Sequence, residues 1–122
     1  MRTFIGKRLL IVEDDADSLE NLRAWAEDLG CEARTARSGQ SALEITEDFK
    51  PRVLITDYLL EDDVTGVDVI VRLRKLNPSA TCVLVTGVLH EALRESLNRI
   101  HGVMILAKPV NLDRLREIIA AA

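Results

Sequence analysis

Strands that alternate with helices along the whole chain predict a doubly wound α/β fold around a parallel sheet. Three observations carry this. Five short apolar runs recur at similar intervals over 122 residues. The segments between them repeat their apolar residues with helical period, and Gly, Pro or Asn punctuates the junctions.

Leu9-Leu10-Ile11-Val12 is continuously apolar, as suits a strand buried on both faces of a parallel sheet. Leu19, Leu22, Ala26 and Leu29 then share one helical face, and Gly30 supplies a C-terminal stop. Cys31 to Ala36 alternates, with Glu32 and Arg34 facing away from Cys31, Ala33 and Thr35, which suits an edge strand. Ser38 can cap a second helix with Ala42, Ile45 and Phe49 on its face, closed by Pro51. Val53-Leu54-Ile55 is the third run, and Val67, Ile70 and Val71 begin a third helix that stops at Asn77-Pro78. Cys82-Val83-Leu84-Val85 follows. Residues Ala92 to Ile100 read as a fourth, less apolar helix. After Val103-Met104-Ile105-Leu106, Asn111 caps a fifth helix whose Leu112, Leu115, Ile118 and Ile119 face inward.

This length suits one domain with one core, without separate cofactor and substrate lobes. With 16 basic and 20 acidic side chains the net charge is −4, and aromatic residues make up 3%. Neither figure suits a surface that neutralises phosphates or stacks bases, so no nucleic-acid contact is expected. No apolar run approaches the ~20 residues of a membrane span, and the first eight residues contain no signal-peptide core. Cys31 and Cys82 lack metal-ligand spacing and read as reduced thiols of a cytoplasmic protein.

In doubly wound sheets, ligands bind outside the carboxyl ends of the strands. The first run ends in Glu13-Asp14-Asp15, the third in Asp57, the fourth in Thr86-Gly87 and the fifth in Lys108-Pro109. The second ends in Arg37, which an edge strand would hold away from the common rim. Singly, an acid after a strand is a favourable helix N-terminal charge, a Thr there is a cap, and Lys108 is a loop lysine. Together they crowd carboxylates that would titrate abnormally unless a cation joined them. Mg²⁺ takes such oxygen ligands together with a phosphate oxygen, while Thr86 and Lys108 can bind the remaining phosphate oxygens. Such a rim handles a phosphoryl group, and Asp57 could accept it covalently.

The ordered strings LLIVEDD, VLITDYLL, VLVTG and LAKPV resemble the response-regulator receiver domains of two-component signalling. The resemblance runs from about Lys7 to Ala121. It implies one receiver domain over residues 1–122, strand order 2-1-3-4-5 with five helices, and phosphoryl transfer from a phosphohistidine to Asp57. It further implies Glu13 and Asp14 as the acidic pair and Leu59 as a backbone-carbonyl ligand of Mg²⁺. Thr86 matches the switch hydroxyl, Lys108 the phosphate-sensing lysine, and Pro109 the proline whose preceding peptide is usually cis. The implied partners are a histidine kinase or histidine phosphotransfer protein, and a downstream target or attached output domain. A homodimer through the fourth helix, fifth strand and fifth helix is also implied, with no turnover of a separate substrate.

This sequence departs from the family pattern in places. Ile105 stands where most receivers carry an aromatic switch residue, so repacking around Ile105 must replace ring rotation. The loop from Asp57 to Gly66 is one residue longer than usual and lacks its proline, as in receivers of hybrid histidine kinases. Leu59 and Val88 match positions that tune dephosphorylation; neither can orient a water, so no unusually fast loss of phosphate is expected. His90 and His101 read as surface residues, and Arg72, Arg74 and Lys75 as a solvated basic face.

Two rival readings accompany this one. Asp15-Ala16-Asp17-Ser18-Leu19 loosely resembles the D-x-D motif of haloacid-dehalogenase-type phosphatases, although Glu13 and Asp14 then intervene after the strand and Asp57 loses its role. A receiver-like scaffold independent of phosphorylation is the other. Glu13, Asp14, Asp15 and Asp17 form one acidic cluster, and Asp57, Glu61, Asp62 and Asp63 another. The rest of the chain then holds 12 acidic against 16 basic residues. The protein reads as a mildly basic body with an acidic rim that demands a cation.

Overall fold

A computed structural model of the protein describes residues 3–87 and 90–122; Val88 lies outside the described residues. The strands are β1 (Arg8–Val12), β2 (Glu32–Ala36), β3 (Val53–Asp57), β4 (Thr81–Thr86) and β5 (Met104–Ala107). All pair in parallel, in the order β2-β1-β3-β4-β5. The helices are α1 (Ala16–Asp28), α2 (Gly39–Phe49), α3 (Gly66–Leu76), α4 (Glu91–Ser96) and α5 (Leu112–Ala121).

Side chains that alternate along a strand divide the core between the two faces of the sheet. Leu9, Ile11, Val53, Ile55, Val83 and Val85 pack with Leu19 and Ala26 of α1 and with Leu115, Ile118 and Ile119 of α5. Leu10, Val12, Leu54, Cys82 and Leu84 face the other way, against α2, α3 and α4. Each fully buried Leu or Ile contributes about 1.5–3 kcal/mol, which makes the two-sided sheet the principal source of stability. Both cysteines are buried and free.

The helix ends follow from local chemistry. Ser38 caps α2 and Asn111 caps α5, each accepting from a backbone N–H three residues on. Gly30 closes α1 at φ +103°, a conformation that favours glycine. Helix α3 opens with a reciprocal box in which Thr65 accepts from Asp68 N–H and the Asp68 carboxylate accepts from Thr65 N–H.

Four local expectations are corrected. Helix α4 spans six residues and gives way to a 3₁₀ turn at Leu97–Arg99, where Arg99 is drawn to Asp68 at 2.9 Å. Leu112 is exposed, because the first residue of α5 sits at the rim of a groove against α1. Arg74 does not point freely into solvent: its guanidinium donates to the carbonyls of Ala80, His101 and Gly102 at 3.1, 2.6 and 3.2 Å. Arg72 pairs with Glu47. Finally, His90 is half-buried; its Nδ1 accepts from Leu93 N–H at 3.3 Å and caps α4.

Gly66 fixes how the long β3–α3 loop returns to the sheet. A Cβ there would lie 2.0 Å from the Asp57 carbonyl oxygen, and backbone cannot yield to it. Gly66→Ala is therefore expected to cost about 1–3 kcal/mol in urea unfolding. A change under about 0.5 kcal/mol, the usual surface value, would show that the loop is free to move.

Candidate functional site

The strand order reverses between β1 and β3, so the connections leaving these neighbours diverge and a crevice opens at their carboxyl ends. Glu13 leaves β1 directly, its N–H bonded to the Ala36 carbonyl at 3.0 Å. Its side chain is buried; Oε1 accepts from Asp15 N–H at 3.3 Å and Oε2 from Lys108 Nζ at 3.3 Å. Asp57 ends β3, also buried, and its Oδ2 accepts from Lys108 Nζ at 2.9 Å. Asp14 is exposed. One carboxylate oxygen from each of Glu13, Asp14 and Asp57 falls within 4.8 Å of the other two.

Thr86 ends β4, and its carbonyl accepts from Lys108 N–H at 3.0 Å, which fastens the exit of β5 beside Asp57. The Lys108–Pro109 peptide is cis. Asp14, Asp57, Leu59, Thr86, His90 and Lys108 line an open cleft of about 450 Å³. Leu59 is 63% exposed, so its side chain has no packing role. Ile105 is 44% exposed on the edge strand. Next to Asp57, by contrast, Tyr58 is buried; its hydroxyl lies 3.2 Å from Ser96 Oγ and its ring 5.3 Å from that of His90. Since Ser96 Oγ donates to the Ala92 carbonyl, the Tyr58 hydroxyl donates to Ser96. Tyr58 thus touches both ends of α4.

The carboxylates are short of positive charge. Burial, and then the neighbouring Glu13 carboxyl, push the Asp57 pKa up to about 8, against the opposing pull of Lys108. Burial alone would depress Lys108, yet its bonds to Asp57 and Glu13 outweigh this and raise it. One ammonium cannot neutralise two buried carboxylates and the adjoining Asp14. The three offer oxygen donors only, the kind a hard divalent ion prefers, so the residues present fit Mg²⁺ with water completing its shell.

Two expectations about this rim are corrected. Arg37 is not held away from it. Its Nε and Nη2 donate to the Asp14 carbonyl at 3.1 and 2.9 Å, because a long side chain just past the end of an edge strand can fold back over the neighbouring strand's exit. Nor does the whole acidic rim mark a cation site. Asp15 is spent on α1, accepting from Ser18 N–H and Oγ at 2.9 and 2.7 Å, and these bonds hold its carboxyl below the usual range. Asp62 caps α2, and Glu61 pairs with Arg37 at 3.1 Å. With its carboxylate turned to its own helix, Asp15 is poorly placed as the first acid of a D-x-D motif. No spacing rule could have revealed Arg37, but Asp62 carried a signal: an acid that no element near it in sequence required.

The family model of the response regulator receiver domain matches residues 9–120. The chain belongs to this family. Receiver domains are modules of two-component signalling. Among relatives, a response regulator receiver protein of Anaeromyxobacter sp. is 31% identical over 112 residues, 92% of this chain and 47% of that protein. The Regulator of RpoS of Escherichia coli is 29% identical over 118 residues, 96% of this chain and 35% of that protein. The chain therefore spans less than half the length of either relative. Among solved structures, the signal receiver domain of a modulated diguanylate cyclase from Desulfovibrio desulfuricans superposes with TM-score 0.83 at 26% identity, covering 96% of this chain and 93% of that one. The receiver domain of a sensor histidine kinase from Pseudomonas aeruginosa, with magnesium coordinated in its active site cleft, gives TM-score 0.80 at 21% identity, covering 95% and 96%. At that identity the likeness is one of fold.

The folded state holds the Asp57 proton more tightly than the unfolded chain, whose value is about 3.9. Its contribution to stability is full below about pH 4 and is lost as pH rises through about 8. In chelator, Asp57→Asn is expected to raise the melting temperature at pH 8.5 by roughly 3–8 °C, and by less at pH 5. A variant no more stable than the parent at pH 8.5 would contradict this.

Proposed function

We propose that this receiver takes a phosphoryl group from a partner's phosphohistidine onto Asp57 in a Mg²⁺-dependent reaction and changes conformation to signal. The carrying observation is the meeting of Glu13, Asp14 and Asp57 within reach of one ion, with Lys108 bonded to two of them, at the strand ends of a receiver fold. The magnesium in the cleft of the Pseudomonas neighbour supports it.

An ionised Asp57 oxygen attacks phosphorus in line; the O–P bond forms as the P–N bond breaks, and the departing imidazole takes a proton from solvent. Glu13, Asp14, Asp57 and the Leu59 carbonyl would hold Mg²⁺, which would supply neutralising charge for the phosphoryl oxygens. Lys108 and Thr86 bind the oxygens that remain. Thr86 is then drawn toward the phosphate, and β5 and α4 repack around Ile105. Tyr58, next to Asp57 in sequence, adds a direct contact to α4.

The reading makes residues 1–122 a single receiver domain that assists its own phosphorylation and turns over no separate substrate. A histidine kinase or histidine phosphotransfer protein would donate, and a downstream target or attached output domain would respond, without nucleic acid or membrane contact. Exposed Met104 and Ile105 on β5 support a homodimer through α4, β5 and α5. Among the described residues no helix is long and apolar enough to cross a membrane; the site of action proposed with this reading is the cytoplasm.

Incubation with a small acyl phosphate and Mg²⁺ is expected to add one phosphoryl group per chain, read by intact mass. Asp57→Asn or chelator abolishes the addition, and Lys108→Ala slows it roughly 10²-fold, the usual cost of one lost oxyanion donor. Labelling that survives Asp57→Asn, or turnover of a generic phosphomonoester by that variant, would overturn the reading.

A further inference from the structure

Glu13 and Asp57 are fixed by their strands and by Lys108, whereas Asp14 is exposed and belongs to a turn. That turn is tied on either side of Asp14 by Glu13 N–H to the Ala36 carbonyl and by Asp15 to Glu13 and Ser18, and at Asp14 itself by Arg37, with two nitrogens on the Asp14 carbonyl at 3.1 and 2.9 Å. The same guanidinium reaches Glu61 Oε1 at 3.1 Å, and Glu61 N–H returns to the Arg37 carbonyl at 3.5 Å. One residue on, the Asp62 carboxylate accepts from Gly39 N–H and Gln40 N–H at 2.7 and 2.9 Å. The β3–α3 loop, which carries Leu59, is thereby stitched to the end of β2, and through Arg37 to the turn that carries Asp14.

We propose that Arg37 is a positioning residue of the cation site, setting Asp14 and the Leu59-bearing loop in register through a fork shared between the Asp14 carbonyl and Glu61. The inference rests on the Mg²⁺ reading above. A planar guanidinium can grip one oxygen with two donors and still meet a carboxylate, which an ammonium cannot do in the same geometry. The placement also works against simple electrostatics. A fixed positive charge beside a divalent ion repels it, so a role as mere charge and a role in positioning predict opposite signs for its removal.

Calorimetric titration of the metal-free protein with Mg²⁺ separates them. Outer partners of metal ligands commonly govern affinity by 10–100-fold, and this one is half exposed, so Arg37→Ala is expected to weaken binding by roughly tenfold. Arg37→Lys, which keeps the charge and loses the fork, should weaken it at least as much. In both variants and in Glu61→Gln, the amides of residues 61–64 should exchange faster with or without Mg²⁺, while thermal unfolding shows that each remains folded. Unchanged or tighter Mg²⁺ binding by Arg37→Ala overturns the positioning role alone. A parent protein that fails to bind Mg²⁺, or whose binding survives Asp14→Asn, overturns the cation site and this inference with it.

Discussion

One ammonium group, Lys108 Nζ, lies 2.9 Å from Asp57 and 3.3 Å from Glu13, and among the described residues it is the cation paired with these two buried carboxylates. Burying charge is costly unless it is paired, and here the pairing is incomplete. The fold tolerates this shortfall because its sheet is buried on both faces by five helices, so the core does not depend on the rim. A site left short of positive charge in this way fits a hard cation. The unfavourable electrostatics of the unliganded rim and its proposed chemistry are two sides of one constraint.

The sheet topology places this constraint where it can act. Reversal of strand order between β1 and β3 brings Glu13 and Asp57 side by side, and β4 and β5 bring Thr86 and Lys108 alongside. Around them, long polar side chains tie loops that hydrophobic packing cannot reach. Arg37 and Asp62 join the β2–α2 and β3–α3 connections, Arg74 gathers the turn before β5, and Arg99 ties the end of α4 to the opening of α3. Tyr58 carries the neighbourhood of Asp57 into the core beneath α4. Tyr58, next to Asp57 in sequence, thus joins the acidic rim to that helix by direct contact.

Much of this was legible in the residues alone. Continuous apolar runs located the buried strands, alternation marked β2 as an edge, and Ser38 and Asn111 announced their helices, because each signal is local. The polar strand ends were legible for a related reason: topology alone brings them together. What escaped was the destination of long or ambivalent side chains. Arg37 and Arg74 find carbonyls 23 and 27 residues away in sequence. Neither hydrophobic period nor spacing encodes such pairings. His90 as a helix cap, the tightening of α4 and the exposure of Leu112 likewise depend on contacts at the rim rather than on propensity.

Lys108 leaves the Asp57–Glu13 pair under-neutralised. Following the Asp57 side-chain carboxyl carbon by NMR through a pH titration tests it directly. Without divalent ions, a transition near pH 8 is expected, moved well below neutrality when Mg²⁺ is added. A transition near pH 4 in the metal-free protein, unmoved by Mg²⁺, would contradict it.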